Sequence, residues 1–378
     1  MEKNKEVLKD VIEVKSYLPC ILSGQYCDYK EGEIVSFLTN EFYLESKIKY
    51  TNKNKIIIEN NGERNVFNLK EVLDCPQNEK GTLKSLLFGV YETFSSLEKP
   101  LDIKGFKIIN KSNIEKNGGF ELNLLVNIFK AFNVIFDLKF SDFALAELIQ
   151  HVYTYHFGKI IPLLNVISYF HKDFVHMVLK DRRLTIEYCD KHLDRYSFLM
   201  FKDGNNISLE QYNSIYNSEY KIFDKVKKFF NVNNLSDIHE YQLFKYVFIP
   251  QTFLNESEKL ILTHYYEELK RSRKTLEGIK DGAPTRKLFD ALNMSTTELG
   301  GYLSFNKFNK FLEVNVFKTG FKKECALTLL NEENLNKFVF TVESENLVDL
   351  FNYLKTLKFF DIQQLTINNK GIKMYQIY

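Results

Sequence analysis

Ile114-Glu115-Lys116-Asn117-Gly118-Gly119-Phe120-Glu121-Leu122-Asn123 joins a strand pattern to a helix pattern through a glycine pair. Upstream, Gly105–Asn110 has strand character. Downstream, Leu125, Ile128, Phe129, Phe132 and Phe136 recur at helical spacing. A glycine turn that feeds a helix N-terminus is the usual cradle for an anion, because unpaired backbone N–H groups and the helix dipole both favour negative charge. The same pair also makes an ordinary turn, and Glu115 and Glu121 would repel phosphate. From these residues alone both readings stand.

Outward from this stretch the apolar pattern alternates between the two periods. Ile34–Tyr50 and Lys55–Glu59 read as strands; Leu83, Leu86, Leu87, Val90, Tyr91 and Phe94 read as a helix; so do Leu145, Leu148, Ile149, Val152 and His156. Strand character returns at Phe174–Leu179, Leu184–Tyr188 and Ser197–Lys202. Strand blocks with helices between them indicate a mixed α/β first half. The polar segment Asp203–Ser214, with Gly204-Asn205-Asn206, is expected to form a turn or domain junction and divides the chain into 1–200 and 201–378. Beyond it, helices are expected around Ile222–Phe230 and over Glu256–Lys280. The last part, Cys325–Leu330, Phe338–Val342, Leu347–Leu357 and Gln364–Tyr378, reads strand, strand, helix, strand. The whole is an α+β chain of two halves.

Bulk properties exclude more than they assert. The chain has 378 residues, and its net charge of +2 gives no reason to expect nucleic acid or an anionic membrane as partner. No run of eighteen apolar residues occurs, and Met1-Glu2-Lys3-Asn4-Lys5-Glu6 lacks the apolar region of a signal peptide. The five cysteines (Cys20, Cys27, Cys75, Cys189 and Cys325) are scattered and never spaced as CxxC, which supports neither a disulfide framework nor a zinc site. The expectation is a cytoplasmic protein. The 34 Phe and 22 Tyr are read as codon bias rather than a functional surface.

Motifs that carry chemistry alone are scarce. Neither GxxxxGK[ST] nor GxGxxG occurs. The histidines form no metal-binding pair, and the spacing of His151 and His156 is expected to put them on different helix faces. Thr319-Gly320-Phe321, flanked by Lys322 and Lys323, and Gly300-Gly301 read as turns without specific meaning.

Taken in order, the pieces resemble the galactokinases of the GHMP kinase superfamily from roughly residue 16 to 375. Ile21-Leu22-Ser23-Gly24-Gln25-Tyr26-Cys27-Asp28-Tyr29-Lys30-Glu31-Gly32 resembles the family's opening motif, GR-x-N-L-I-G-E-H-x-D-Y. Gly24, Asp28, Tyr29 and Gly32 match it, whereas Gln25 and Tyr26 stand for Glu and His, and Pro19 stands for Arg. The Ile114–Asn123 stretch resembles the family's glycine- and serine-rich phosphate motif. Asn117, Gly118 and Gly119 keep the turn without its serines. The family's metal-holding Glu corresponds to Tyr153. Counting from Gly158 puts Asn165 at the family's catalytic aspartate, a register supported by Asp181, Arg183 and His176. Tyr216-Asn217-Ser218, His264 with Glu267, and Gly320 resemble the later motifs, with Glu219 and Tyr220 in place of two arginines.

The resemblance implies a two-domain GHMP-kinase fold: an N-terminal mixed α/β half resembling the ribosomal S5-like fold over 1–200, and a C-terminal α+β half over 201–378. It implies a sugar wall of Gln25, Tyr26, Asp28 and Tyr216, and a degenerate nucleotide site of Asn117, Gly118, Gly119 and Gly320. It also implies catalytic positions that hold the inert Asn165 and Pro19, and no metal site. Asparagine accepts no proton at neutral pH, and loss of a general base typically costs roughly 10²–10⁴ in rate. The expected function is that of a catalytically impaired galactokinase-like protein that binds a galactose-like sugar or a protein partner, with no cofactor. Alternatives are an active sugar kinase using ATP and Mg²⁺, with Lys116, Lys322 or Lys323 against phosphate, and a structural assembly subunit.

Overall fold

The computed structural model describes residues 11–24, 30–75, 79–115, 118–189, 192–202, 209–247, 249, 253–280, 286–293, 325–331, 337–356 and 361–377. The chain divides into two compact units interleaved in sequence. The first comprises Met1–Leu18, Leu38–Lys172 and Asn368–Tyr378; the second comprises Pro19–Phe37 and Asp173–Ile367.

Strands β1 (Val11–Ser23), β2 (Gly32–Thr51), β3 (Lys55–Asn60), β4 (Glu63–Asn68) and β5 (Gly105–Ser112) are joined by α1 (Leu69–Leu73) and α2 (Leu83–Ser95). Helices α3 (Phe120–Ile135), α4 (Asp142–His151) and α5 (Leu163–Ser168) follow. In the first unit the sheet runs β12-β1-β2-β5-β3-β4, where β12 (Lys373–Ile377) closes the edge antiparallel to Val11–Lys15. The β3–β5 pair is parallel and β3–β4 is a hairpin whose turn, Asn61-Gly62, has positive φ at both residues, as a two-residue hairpin loop requires. Apolar positions at helical spacing become an aromatic core. Phe94 of α2 packs 4.9 Å from Phe129 and 5.4 Å from Phe132, and Phe106 of β5 lies 5.3 Å from Phe132. Each such ring contributes about 1.5–3 kcal/mol by leaving water, and each ring pair about 0.5–1.5 kcal/mol beyond that.

The second unit contains β6 (Phe174–Lys180), β7 (Arg183–Tyr188) and β8 (Tyr196–Lys202), then α6 (Leu209–Phe230), α7 (Glu240–Tyr246) and α8 (Glu256–Lys280). A further helix, α9, spans residues 286–293. After it come β9 (Cys325–Leu329), β10 (Lys337–Glu343), α10 (Leu347–Thr356) and β11 (Gln363–Leu365). Here β6 pairs with Gly32–Phe37 of β2 on one side and with β7 on the other, and a separate sheet runs β11-β8-β10-β9. Ile222, Phe223 and Val226 of α6 pack with Leu235, Ile238, Leu243 and Leu262 into a helical core.

Three local expectations are corrected. Helix α6 begins at Leu209, so 209–214 is helical and only 203–208 of the expected junction lies outside the described residues. Tyr216 is therefore within a helix rather than ahead of one. Gln364–Tyr378 is two strands in different sheets, because Asn368 Oδ1 accepts from Lys370 N at 2.8 Å and Gly371 N at 2.9 Å, making a side-chain-closed turn that ends with Gly371 at φ +66°. Finally, α4 widens into a π-helical turn over Val152–Phe157. A π turn brings residue i+5 back over residue i, so the His151 and His156 rings lie on one face with centroids 5.5 Å apart.

Candidate functional site

In the first unit the glycine turn is held by a polar seam that the sequence reading did not single out. Gly118 N donates to Glu115 O at 3.0 Å, and Gly119 caps α3 in the left-handed region at φ +95°. Asn123 Nδ2 donates to Gly119 O at 3.0 Å, and Asn123 Oδ1 accepts from Ser16 Oγ at 2.8 Å. One turn on, Asn127 Nδ2 donates to Leu44 O at 3.0 Å and Ser46 Oγ at 2.9 Å. Both asparagines are wholly buried. Spaced four apart, they lie on one face of α3 and fix its N-terminus to β1 and β2. A pair of asparagines inside an otherwise apolar stripe was the available signal.

The positions that the resemblance assigns to metal and proton transfer are apolar or neutral. Tyr153, at the expected metal carboxylate, is 1% exposed and stacks on Phe157 with centroids 5.1 Å apart. Asn165 sits in the first turns of α5, 3% exposed; its Oδ1 is buried and has no hydrogen-bond partner among the described residues. An unpaired buried carbonyl costs about 1–3 kcal/mol. Beside the π turn, His156 Nε2 lies 2.8 Å from Glu92 Oε2. Burial nevertheless holds the His156 pKa below its ordinary value. Glu92 pulls it up, and His151 and Lys80 push it further down. Burial outweighs the half-exposed Glu92, so the imidazole is neutral near pH 7.

In the second unit Pro19 is buried, and its carbonyl accepts from Asn331 Nδ2 at 2.6 Å. Gln25, Tyr26 and Asp28 lie outside the described residues, as do Cys27, Lys116, Asn117, Gly300, Gly301, Gly320, Lys322 and Lys323. Tyr216 is in α6, its side chain likewise outside them. Gly24 and Glu33, one before and one after the Gln25–Asp28 segment in sequence, are described, and both bond to α8. Gly24 N donates to Glu268 Oε2 at 2.9 Å, and Ser272 Oγ donates to Glu33 O at 3.0 Å. Gly24 has φ +83°, and a Cβ there would lie 2.0 Å from Glu33 O, so no other residue fits. Glu268 is paired with Arg271 at 2.8 Å, both nearly inaccessible. The buried Glu33 carboxylate accepts from His176 Nε2 at 2.8 Å and from Arg273 Nε at 3.0 Å. The resemblance used His176 only to fix the register, and the structure gives it a partner. The legible signal was the placing of Glu268 and Ser272 on the same helical stripe as Leu262, Tyr265 and Ile279. Glu219, at the first of the two replaced arginines, is also buried.

Magnesium and a triphosphate can be tested against these residues. The Gly118–Gly119 turn keeps the backbone form of an anion cradle, but Glu121 adds a negative charge to the same first turn. Tyr153 and Asn165 carry no charge, and among the described residues no group of three or more His, Cys, Asp or Glu side chains is placed to hold a metal ion. Among the described residues, the positions that the resemblance assigns to metal and proton transfer supply no carboxylate.

No protein-family model and no curated protein matches the chain. Solved structures do. The Lactococcus lactis galactokinase complexed with galactose has a TM-score of 0.79 at 14% identity, over 98% of this chain and 95% of that one. A D-glycero-D-manno-heptose 1-phosphate kinase from Bacteroides thetaiotaomicron has 0.61 at 14%, over 97% and 99%. The Methanococcus jannaschii mevalonate kinase has 0.56 at 17%, over 95% and 98%. The likeness establishes the fold: this chain has the mixed α+β, two-domain fold of the GHMP kinases.

Proposed function

We propose that this chain is a galactokinase-like protein that binds a sugar, or a protein partner, and has lost most or all phosphoryl transfer. The observation that carries the reading is Asn165, a buried carboxamide with an unpartnered oxygen at the position matched to the family's proton-accepting aspartate. Tyr153, stacked on Phe157 where a metal-holding carboxylate is expected, supports it independently. Phosphoryl transfer depends on positioning and on neutralising phosphate charge, and loss of a preorganised charge at the transferring group costs about 10²–10³ in rate. Gln25, Tyr26, Asp28 and Tyr216 are the proposed sugar contacts. The two-half division 1–200 and 201–378 and a cytoplasmic setting belong to the same reading.

The test combines calorimetry with galactose and related sugars and a coupled assay with ATP, Mg²⁺ and a hexose panel. The expected result is sugar binding without nucleotide and turnover below about 0.1 s⁻¹, low against the usual enzyme range. Turnover above that value would overturn the reading. Absence of both sugar binding and turnover would leave the protein-partner version.

One feature favours an active ATP-dependent kinase with a rearranged site, transferring phosphate to the C1 hydroxyl. It is the glycine turn that leads into α3, with Gly119 left-handed at φ +95°, the backbone form of an anion cradle. Tight magnesium-dependent ATP binding would establish that reading.

A further inference from the structure

A cavity of about 540 Å³ opens wholly within the second unit, between the turn after Leu235, α7 and α8. Its size falls within the range of small-molecule sites, roughly 300–1,000 Å³. Ile238, Leu243, Phe244 and Leu269 give it an apolar body, and Phe244 is 61% exposed, uncommon for a large aromatic side chain. Lys270 and Arg273 stand on its wall.

The polar groups around the cavity are unequal in what they can still bind. Ser236 Oγ donates to Glu31 at 3.0 Å, Thr263 Oγ1 to Lys259 O at 2.8 Å, and Tyr266 Oη to Leu235 O at 2.6 Å. The hydroxyl hydrogens are therefore engaged inside the protein. The wall carboxylate, Glu267, is paired with Lys270 at 3.0 Å, and Glu33 is held by Arg273 and His176. Arg273 differs. Its Nε is fixed on the buried Glu33, its side chain is 69% exposed, and its Nη nitrogens make no hydrogen bond among the described residues. A guanidinium preorganised through Nε and open at its fork matches a carboxylate bidentately.

We propose that this cavity is a binding site for a small organic acid, with an aliphatic or aromatic body among Leu243, Phe244 and Leu269 and its carboxylate on the Nη atoms of Arg273. The proposal is independent of whether the chain transfers phosphate.

Calorimetry on the full chain with 4-phenylbutanoate and the neutral 4-phenylbutan-1-ol tests it. The acid is expected to bind about tenfold or more tightly than the alcohol, as a charge-assisted hydrogen-bond pair supplies. Thr263→Phe fills the cavity without touching the ion pairs and should abolish binding of both. Arg273→Gln is made together with Glu33→Gln, so that no buried carboxylate is stranded; this pair should weaken the acid about tenfold or more and leave the alcohol within about twofold. If the double variant does not fold, Thr263→Phe and the acid-to-alcohol ratio still decide. No acid binding at millimolar concentration, equal affinity for acid and alcohol, or acid binding that survives Thr263→Phe would each overturn the proposal.

Discussion

The polar seam along α3 and the charged clamp of α8 do similar mechanical work with different chemistry. In the first unit, neutral Asn123 and Asn127 tie a helix N-terminus to the sheet. In the second, Glu268, paired with Arg271, holds Gly24, and Glu33 is held by Arg273 and His176. The contrast extends to the family positions nearby: Tyr153 and Asn165 are uncharged, while His176 and Glu219 are buried polar groups. Among the described residues, Glu268 and Glu33 are buried and paired, whereas Tyr153 and Asn165, the positions that the resemblance assigns to metal and catalytic base, carry no charge.

Breaking the ionic side should cost the most. Glu268→Ala leaves Arg271 buried without its partner and removes the acceptor of Gly24 N–H; the expected loss is about 3–5 kcal/mol, read from denaturant unfolding. A loss below about 1 kcal/mol would mean that the clamp is not structural. Breaking the neutral side should cost less. Asn123→Ala removes the partner of a buried Ser16 hydroxyl and one bond to Gly119, for about 1–3 kcal/mol in the same measurement. Equal losses in the two variants would erase the distinction between charged and neutral seams.

The smallest expected effect concerns pH. Because burial lowers the His156 pKa in the folded chain, the unfolded chain takes up that proton first. Its contribution is complete above the ordinary histidine value of about 6.5 and declines as pH falls through and below it. His171, also lowered by burial, adds to the same trend. Wild-type protein should therefore lose stability between pH 7.5 and 5.0, and His156→Gln should flatten that loss in part. An unchanged slope in the variant would show that the imidazole does not titrate differently on folding.

Much of the architecture was legible along the chain. Glu256–Lys280, Phe174–Leu179 and Leu83–Phe94 are long or strongly periodic, and the same elements appear in the structure. The Asn61-Gly62 turn of the β3–β4 hairpin carries a residue pair such loops favour, but neither β4 nor β1 is among the expected elements. The candidate site was legible only as a list of positions. Asn165 could be counted to, but its buried, partnerless oxygen could not. Nor could the meeting of His151 and His156, which follows from a change of helical pitch inside one helix.

Local periodicity, glycine placement and the identity of the residues at matched positions were settled by sequence, because each depends on near neighbours or on residue chemistry alone. The partners of Glu33 and Glu268, the seam of Asn123 and the cavity beside Arg273 were decided by tertiary structure. They join residues as far apart as Gly24 and Glu268, and only the packed backbone brings such groups within hydrogen-bond reach.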